Sequence, residues 1–107
     1  MKTATALALA ALFGAFVPVA ASAVLPDDGY MAQSRAAMST MMDAMDIAPS
    51  GNVDADFVAG MVPHHQGAIA MAEAELRFGR NPALRRIAQE IVVTQQDEVV
   101  AMRRALR

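Results

Sequence analysis

The residue types best suited to chemistry in this 107-residue chain are two histidines and nine methionines. The two histidines stand side by side in Met61-Val62-Pro63-His64-His65. Thioether sulfur favours soft ions such as Cu(I) and Ag(I), and imidazole binds copper in either oxidation state, whereas calcium or magnesium requires clustered carboxylates. This segment therefore predicts a site for a soft metal ion, with copper as the first candidate.

The spacing of these residues on a helix decides which side chains could share an ion. At about 100° per residue, Met61, His64 and Met71 fall in one sector. His65 falls in the adjoining apolar sector, so it is either a second ligand after distortion of the helix or a packed core residue. Pro63 could supply that distortion, because an interior proline lacks an N–H and clashes with the carbonyl four residues earlier. The alternative is that the helix begins near this proline.

Methionine takes the place of the usual aliphatic residues earlier in the chain. No Leu, Ile, Val or Phe occurs between residues 27 and 46. A methionine stripe is ordinarily core, since the flexible thioether fills irregular gaps. Complete replacement of the larger aliphatics favours a set of thioether ligands instead. The candidate ligands outside the histidine helix are Met38, Met41, Met42, Met45 and Met102.

Other metal sites and catalysis have less support in this sequence. Zinc would require several Cys or His ligands or a His-Glu-x-x-His helix, and the chain has no cysteine and only two histidines. A di-iron bundle would need Glu-x-x-His pairs, but Met61 and Val62 precede the histidines by three residues. No serine lies near the histidine pair in sequence. We therefore expect a binding protein and not an enzyme.

Three helical segments, separated by turn-forming residues, would carry these side chains. The first runs from about Asp28 to Asp46 and stops before a cluster of Pro, Ser, Gly and Asn. The second starts near Asp54 and ends at Gly79, where glycine could adopt a left-handed cap. The third begins at Pro82 and runs almost to the C-terminus. Short connections make neighbouring helices antiparallel, so we expect an all-α fold, a small up-down helical bundle that a second copy could complete.

The first 23 residues have the pattern of a secretory signal peptide. Lys2 precedes an apolar run from residue 4 to residue 19, and Ala21-Ser22-Ala23 forms a small-x-small cleavage site. The run is short for a membrane span, although a retained anchor is the alternative. We expect cleavage after Ala23 and a single domain over residues 24–107. The protein would then be periplasmic or secreted, without stable membrane insertion.

Charge and cysteine content narrow the classes of partner. Aspartates dominate the first part of the chain and arginines the last, at a net charge of only −2. With 5% aromatic residues and no basic groove interleaved with them, nucleic-acid binding is not expected. Thioethers stay available in an oxidising compartment, where thiolates would form disulfides. The expected partners are a metal ion, a second copy of the chain and a protein that donates or accepts copper.

A longer motif extends the histidine segment in both directions. The string Asp54-x-Asp56-Phe57-x-x-x-Met61-x-Pro63-His64-His65-Gln66-Gly67-Ala68-x-x-Met71-Ala72, with Gln95-x-x-Glu98-Val99-x-x-Met102 after it, resembles the domain-of-unknown-function 305 family. That family includes periplasmic CopM-type copper-binding proteins. The resemblance implies an exported, ferritin-like helical bundle with methionine and histidine ligands for copper and in some members silver. Carried over by position, it implies ligands at Met61, His64, His65, Met71 and Met102, a matching cluster of Met38, Met41, Met42 and Met45, and polar companions at Asp56 and Glu98.

The sequence thus supports one hypothesis and one alternative. The hypothesis is an exported protein of copper homeostasis or tolerance that sequesters or hands on Cu(I), with Ag(I) as a second ion. Gln95 or Glu98 could then hold the free ring nitrogen of a ligating histidine. Because the chain has a single short domain without further histidines or a methionine-rich tail, a high metal stoichiometry is not expected. The alternative is a helical structural or interaction module with a packed histidine pair and no physiological metal.

Overall fold

The computed structural model describes residues 28–107, which form three α-helices joined by short turns. Helix α1 spans Asp28–Met45, α2 spans Val53–Phe78 and α3 spans Pro82–Ala105, and these described residues include no strand. The predicted all-α bundle of three helices is confirmed. None of the three helices is long and apolar enough to cross a membrane. The predicted signal peptide lies outside the described residues.

Asparagine side chains start α2 and α3. The Oδ1 of Asn52 accepts a hydrogen bond from the Ala55 N–H at 3.0 Å. The Oδ1 of Asn81 accepts from the N–H groups of Ala83 and Leu84 at 2.9 and 3.2 Å. Each cap satisfies backbone donors that have no partner within the helix, which fixes where the helix begins.

The end of α2 differs from the sequence prediction. Gly79 is extended, with φ −72° and ψ 152°, so the left-handed cap predicted there is wrong. The carbonyl groups of this helix end have another partner: Nη1 of Arg85 donates to the Leu76 carbonyl at 2.5 Å and to the Gly79 carbonyl at 3.0 Å. The left-handed glycine is Gly51, with φ 86°, in the turn between α1 and α2.

Helix α2 continues unbroken through Pro63, which is buried. The alternative in which a helix begins at this proline is therefore wrong. Asn52 already starts the helix more than two turns earlier, and two acidic residues of the first turn, Asp54 and Asp56, favour its positive end. Packing on two sides then holds the helix across the missing hydrogen bond.

The three helices form a layer with α2 in the middle. Helix α2 packs against both α1 and α3, and those two do not pack against each other. Gly67 lies under the side chain of Met41 in α1, whereas His65 contacts Glu98 in α3. Two residues correspond to about 200° around a helix, so the neighbours lie on nearly opposite sides of α2. No fourth helix of residues 28–107 covers either broad face of the layer.

The two faces differ in composition. We define the methionine face as the side that contains the α1–α3 groove over α2, lined by Tyr30, Met71, Leu84, Ile87 and Ile91. Helical periodicity adds to this face Met31, Met38 and Met45 of α1, and Phe57 and His64 of α2. The opposite side, the polar face, carries Gln33, Thr40, Gln66, Glu73, Arg77, Gln89 and Gln96.

The core between the helices is made of small residues. The buried apolar residues are Val62, Ala72, Ala74, Ala88 and Val99. No large side chain is fully buried within residues 28–107. Larger apolar residues are instead left at the surface, and most of those outside the turns and helix ends lie on the methionine face.

Candidate metal centre

The two histidines point in different directions, as their spacing on a helix predicts. His65 is only 7% exposed and faces α3, whereas His64 is exposed on the methionine face. Their ring centroids are 6.0 Å apart, with the ring planes at 63°. The adjacent imidazoles are therefore separate groups with separate surroundings.

Both ring nitrogens of His65 are engaged. Nδ1 lies 2.8 Å from the carbonyl oxygen of Met61, and a carbonyl only accepts, so Nδ1–H is the donor. Nε2 lies 2.5 Å from Oε2 of Glu98, so the carboxyl group covers this nitrogen. Because both nitrogens already have a partner, neither is open to a metal ion in this structure. For His65 to act as the predicted ligand, Glu98 would first have to move away.

His64 has the opposite character. No hydrogen bond involves its ring within residues 28–107, and its imidazole is open to solvent. Met61 lies one turn before it on α2 and is partly buried. Residues three apart on a helix are neighbours on its surface, so one ion can contact both side chains.

Methionines of the other two helices lie at the level of this pair. Met45 of α1 lies between two contacts that fix the register, Met41 over Gly67 and Ile47 near Gly60. Met102 of α3 is one turn beyond Glu98, as Met61 is one turn before His65, and it lines a hollow with residues 57 and 58 of α2. Antiparallel packing thus brings Met45 and Met102 to the level of Met61 and His64. Met42 lies at the same level, 61% exposed, further out on α1.

Met71 belongs to a different level. It is ten residues from Met61 on an unbroken helix, which corresponds to about 15 Å along the axis. Two thioethers that far apart cannot reach one ion. Met71 instead lines the groove with Tyr30 and lies nearer the level of Met38. The methionines and histidine predicted as one ligand set are therefore divided into a level at His64 and a level at Met71.

Met41 has a packing role. A Cβ atom built on Gly67 would lie 2.5 Å from the Sδ atom of Met41 and 2.9 Å from its Cβ atom. The thioether thus fills the space that the glycine leaves, at the contact between α1 and α2. Met41 lines the small hollow on the polar side of that contact with Pro63 and Gln66, away from His64.

The predicted polar companions have unequal surroundings. Glu98 bonds to His65, while its predicted role beside a metal-binding histidine stays a prediction. Asp56 accepts hydrogen bonds from the Ser50 N–H at 3.0 and 3.2 Å, which ties down the α1–α2 turn. Gln95 is partly buried on α3, one turn before Glu98. Within residues 28–107, no three His, Asp or Glu side chains come together as a metal site.

Sequence reasoning missed Tyr30 as a part of the groove at the level of Met71. Its side chain lines the groove beside Met71. The available signal was the spacing of four, three and four residues that joins Tyr30 to Ser34, Ala37 and Met41 on the inner side of α1.

The sequence of this chain matches a known protein family over most of its length. The family model described as domain of unknown function (DUF305) matches residues 17–106, which include all three helices. The chain belongs to the DUF305 family. The match confirms the family that the sequence motif resembles, and every candidate ligand of this DUF305 domain lies within it.

A curated relative of this DUF305 domain is "Uncharacterized protein L153" of Acanthamoeba polyphaga mimivirus. The two sequences are 33% identical over 49 residues, which make up 46% of this chain and 32% of the viral protein. The matched segment thus spans about a third of the length of that relative.

Proposed function

We propose that this protein binds Cu(I), and Ag(I) as an ion of the same chemistry, on its methionine face. One observation carries the proposal: the exposed imidazole of His64 lies one helical turn from Met61, at the level of Met45 and Met102. These side chains come from all three helices. The proposed donors are thus far apart in the sequence but share one level along the helices.

The chemistry of this donor set favours a soft ion. Thioether sulfur and neutral imidazole are ligands that suit Cu(I), while Mg²⁺ and Ca²⁺ need several oxygen ligands. Within the described residues, no cluster of three carboxylate or imidazole groups offers the alternative. The lack of a hydrogen bond to the His64 ring leaves a nitrogen lone pair available in the neutral tautomers.

The neighbouring His65 would position the site without binding the ion. Its Nδ1–H donates to the carbonyl of Met61, and its Nε2 contacts Glu98. These two contacts hold the turn that carries both Met61 and His64 against α3. At many metal sites, hydrogen bonds from surrounding residues orient the ligand itself. Here the hydrogen-bonded ring is that of His65, the neighbour of the proposed ligand His64.

The accessibility of the ligands favours sequestration and transfer over catalysis. Met42 and Met38 are 61% and 48% exposed, and His64 is open to solvent. A protein that donates or accepts copper could therefore reach the ion directly. If the predicted signal peptide directs export, this exchange takes place in the periplasm or outside the cell, where thioethers, unlike thiolates, do not form disulfides.

The test is a titration of Cu(I) against a chromophoric chelator with the purified protein. We expect His64→Ala and Met61→Leu each to weaken Cu(I) binding by about tenfold or more, the loss that accompanies about 1.4 kcal/mol. Gln66→Ala is the matched control, because Gln66 is exposed on the same helix but on the polar face. Equal affinity in the wild type and both ligand variants would contradict the proposal.

A second candidate function is a helical interaction module without a physiological metal. The satisfied His65–Glu98 contact favours it, since this pair needs no ion to be complete. The two candidates differ in thermal unfolding. An ion that binds only the folded state raises the midpoint as its concentration rises, whereas a metal-free module keeps the same midpoint.

A further inference from the structure

The methionine face is apolar, and no other part of residues 28–107 packs on it. Its exposed residues include Met31 at 38%, Met38 at 48%, Phe57 at 56%, Leu84 at 52% and Ile87 at 47%. The buried apolar residues of the monomer are only alanines and valines. The monomer therefore buries little apolar area. A small domain of this kind gains the missing core from a partner subunit.

The pattern along α2 indicates what covers the face. Phe57, His64 and Met71 repeat at intervals of seven residues along its middle line. A seven-residue repeat keeps one stripe of a helix facing a second helix, and in a parallel pair each residue meets its own copy. In this layer the stripe has no helix opposite it within residues 28–107, since α1 and α3 lie on the flanks.

We propose that two copies of this chain pack through their methionine faces, about a two-fold axis parallel to the helices. The α2 helices then meet along the axis, and α1 of each copy lies over α3 of the other. His64 faces His64 of the other copy, and Met71 faces Met71. If the proposed function holds, the Cu(I) site is shared, with His64 from both chains as ligands.

The size of the face suits a stable dimer. Three helices spaced about 9 Å apart are about 28 Å wide with their side chains, and 18 residues of α1 give about 27 Å of length. The product is about 750 Å² per copy. That area is close to the roughly 800 Å² that each partner buries in a standard protein interface.

The two possible axes differ in what lies over α2. With an axis parallel to the helices, the two α2 helices are parallel, and Phe57, His64 and Met71 each lie over their own copy. With an axis across the helices at His64, Phe57 would lie over Met71 instead. A contact of Met71 with its own copy therefore distinguishes the two arrangements.

The first experiment measures association without metal. We expect sedimentation equilibrium of the purified protein to give a dimer, and Ile87→Asp to shift it to a monomer by burying a charge in the interface. Val93→Asp is the matched control, because Val93 is a valine 59% exposed outside the methionine face and should stay dimeric. Circular dichroism checks that both variants remain helical.

The second experiment fixes the geometry through a disulfide. The chain has no cysteine, so a single introduced thiol reports only its own symmetry mate. Met71→Cys should form an intermolecular disulfide under mild oxidation, and Gln66→Cys on the polar face should not. If the Met71→Cys variant is monomeric and its introduced thiol stays free, the proposal is wrong. The methionine face would then be covered by the N-terminal segment of the same chain or by another protein.

A Cu(I) titration separates this inference from the proposed function. A shared site predicts one ion per two chains and a loss of tight binding in the monomeric Ile87→Asp variant. A dimer that binds no Cu(I) refutes the proposed function while the interface stands. Unchanged Cu(I) affinity in the Ile87→Asp monomer refutes the shared site and leaves copper binding intact.

Discussion

Two glycines of α2 provide a sharp test of how α1 packs. A Cβ atom added at Gly60 would have Ile47 Cδ1 as its nearest neighbour, at 4.0 Å. A Cβ atom added at Gly67 would lie 2.5, 2.8 and 2.9 Å from Sδ, Cγ and Cβ of Met41. The flexible end of that methionine could turn away, but its Cβ atom moves only with the backbone of α1. The same substitution therefore has room at one position and none at the other.

The expected magnitudes follow from two opposing effects. Replacing glycine by alanine inside a helix favours folding by about 1 kcal/mol at either position. Overpacking at a tight contact opposes it by about 1–3 kcal/mol. We therefore expect Gly60→Ala to raise the free energy of unfolding by about 1 kcal/mol, and Gly67→Ala to leave it unchanged or lower it by up to about 2 kcal/mol.

Thermal unfolding followed by circular dichroism measures the difference. For a domain of this size, 1 kcal/mol corresponds to about 4–8 °C in Tm. All samples need the same protein concentration, because association changes the apparent stability. If both variants raise Tm equally, Met41 does not lie over Gly67. Met41 would then be free to join the ligands near His64.

Two further predictions concern polar groups between the helices. A double-mutant cycle of His65→Ala and Glu98→Ala, measured by urea unfolding, should give a coupling energy of about 1 kcal/mol. The value is modest because Glu98 is 52% exposed and water weakens its contact with His65. Additive effects of the two substitutions would show that the pair does not hold α2 to α3. Ser34→Ala should raise the free energy of unfolding by about 1 kcal/mol, because the Ser34 Oγ atom is buried without a hydrogen-bond partner within residues 28–107. Ser39→Ala, exposed on the same helix, should gain only about half as much; a loss of stability at position 34 would reveal a partner for that hydroxyl.

The local structure of this chain could be predicted well from its sequence. The predicted starts, near Asp54 and at Pro82, lie within one residue of the observed starts at Val53 and Pro82, and the turn-forming cluster separates α1 from α2. These signals act within a few residues, so periodicity and capping chemistry are enough to read them. The same periodicity placed His64 and His65 on different sides of α2, which the structure confirms.

The register between helices could not be predicted in the same way. Met61 and Met71 share a sector of α2, yet their separation along the axis divides them between two levels. Whether Met45 or Met38 lies beside His64 depends on how far α1 slides along α2. That position is set by Met41 over Gly67, a contact between residues 26 apart in sequence. Gly79 shows a similar limit, because its conformation depends on the side chain of Arg85 in the next helix.

The paired histidines illustrate how one short motif can combine stability and binding. His65 is directed into the α2–α3 contact, where Glu98 and the Met61 carbonyl occupy its ring. The next residue back along the helix is turned by about 100°, which brings His64 out onto the methionine face. Because His65 holds the carbonyl of Met61 while the thioether of Met61 stays beside His64, the buried pair and the proposed ligands share one turn of helix. A change at Glu98 would therefore reach the proposed copper site through the backbone, even though its carboxylate does not bind the ion.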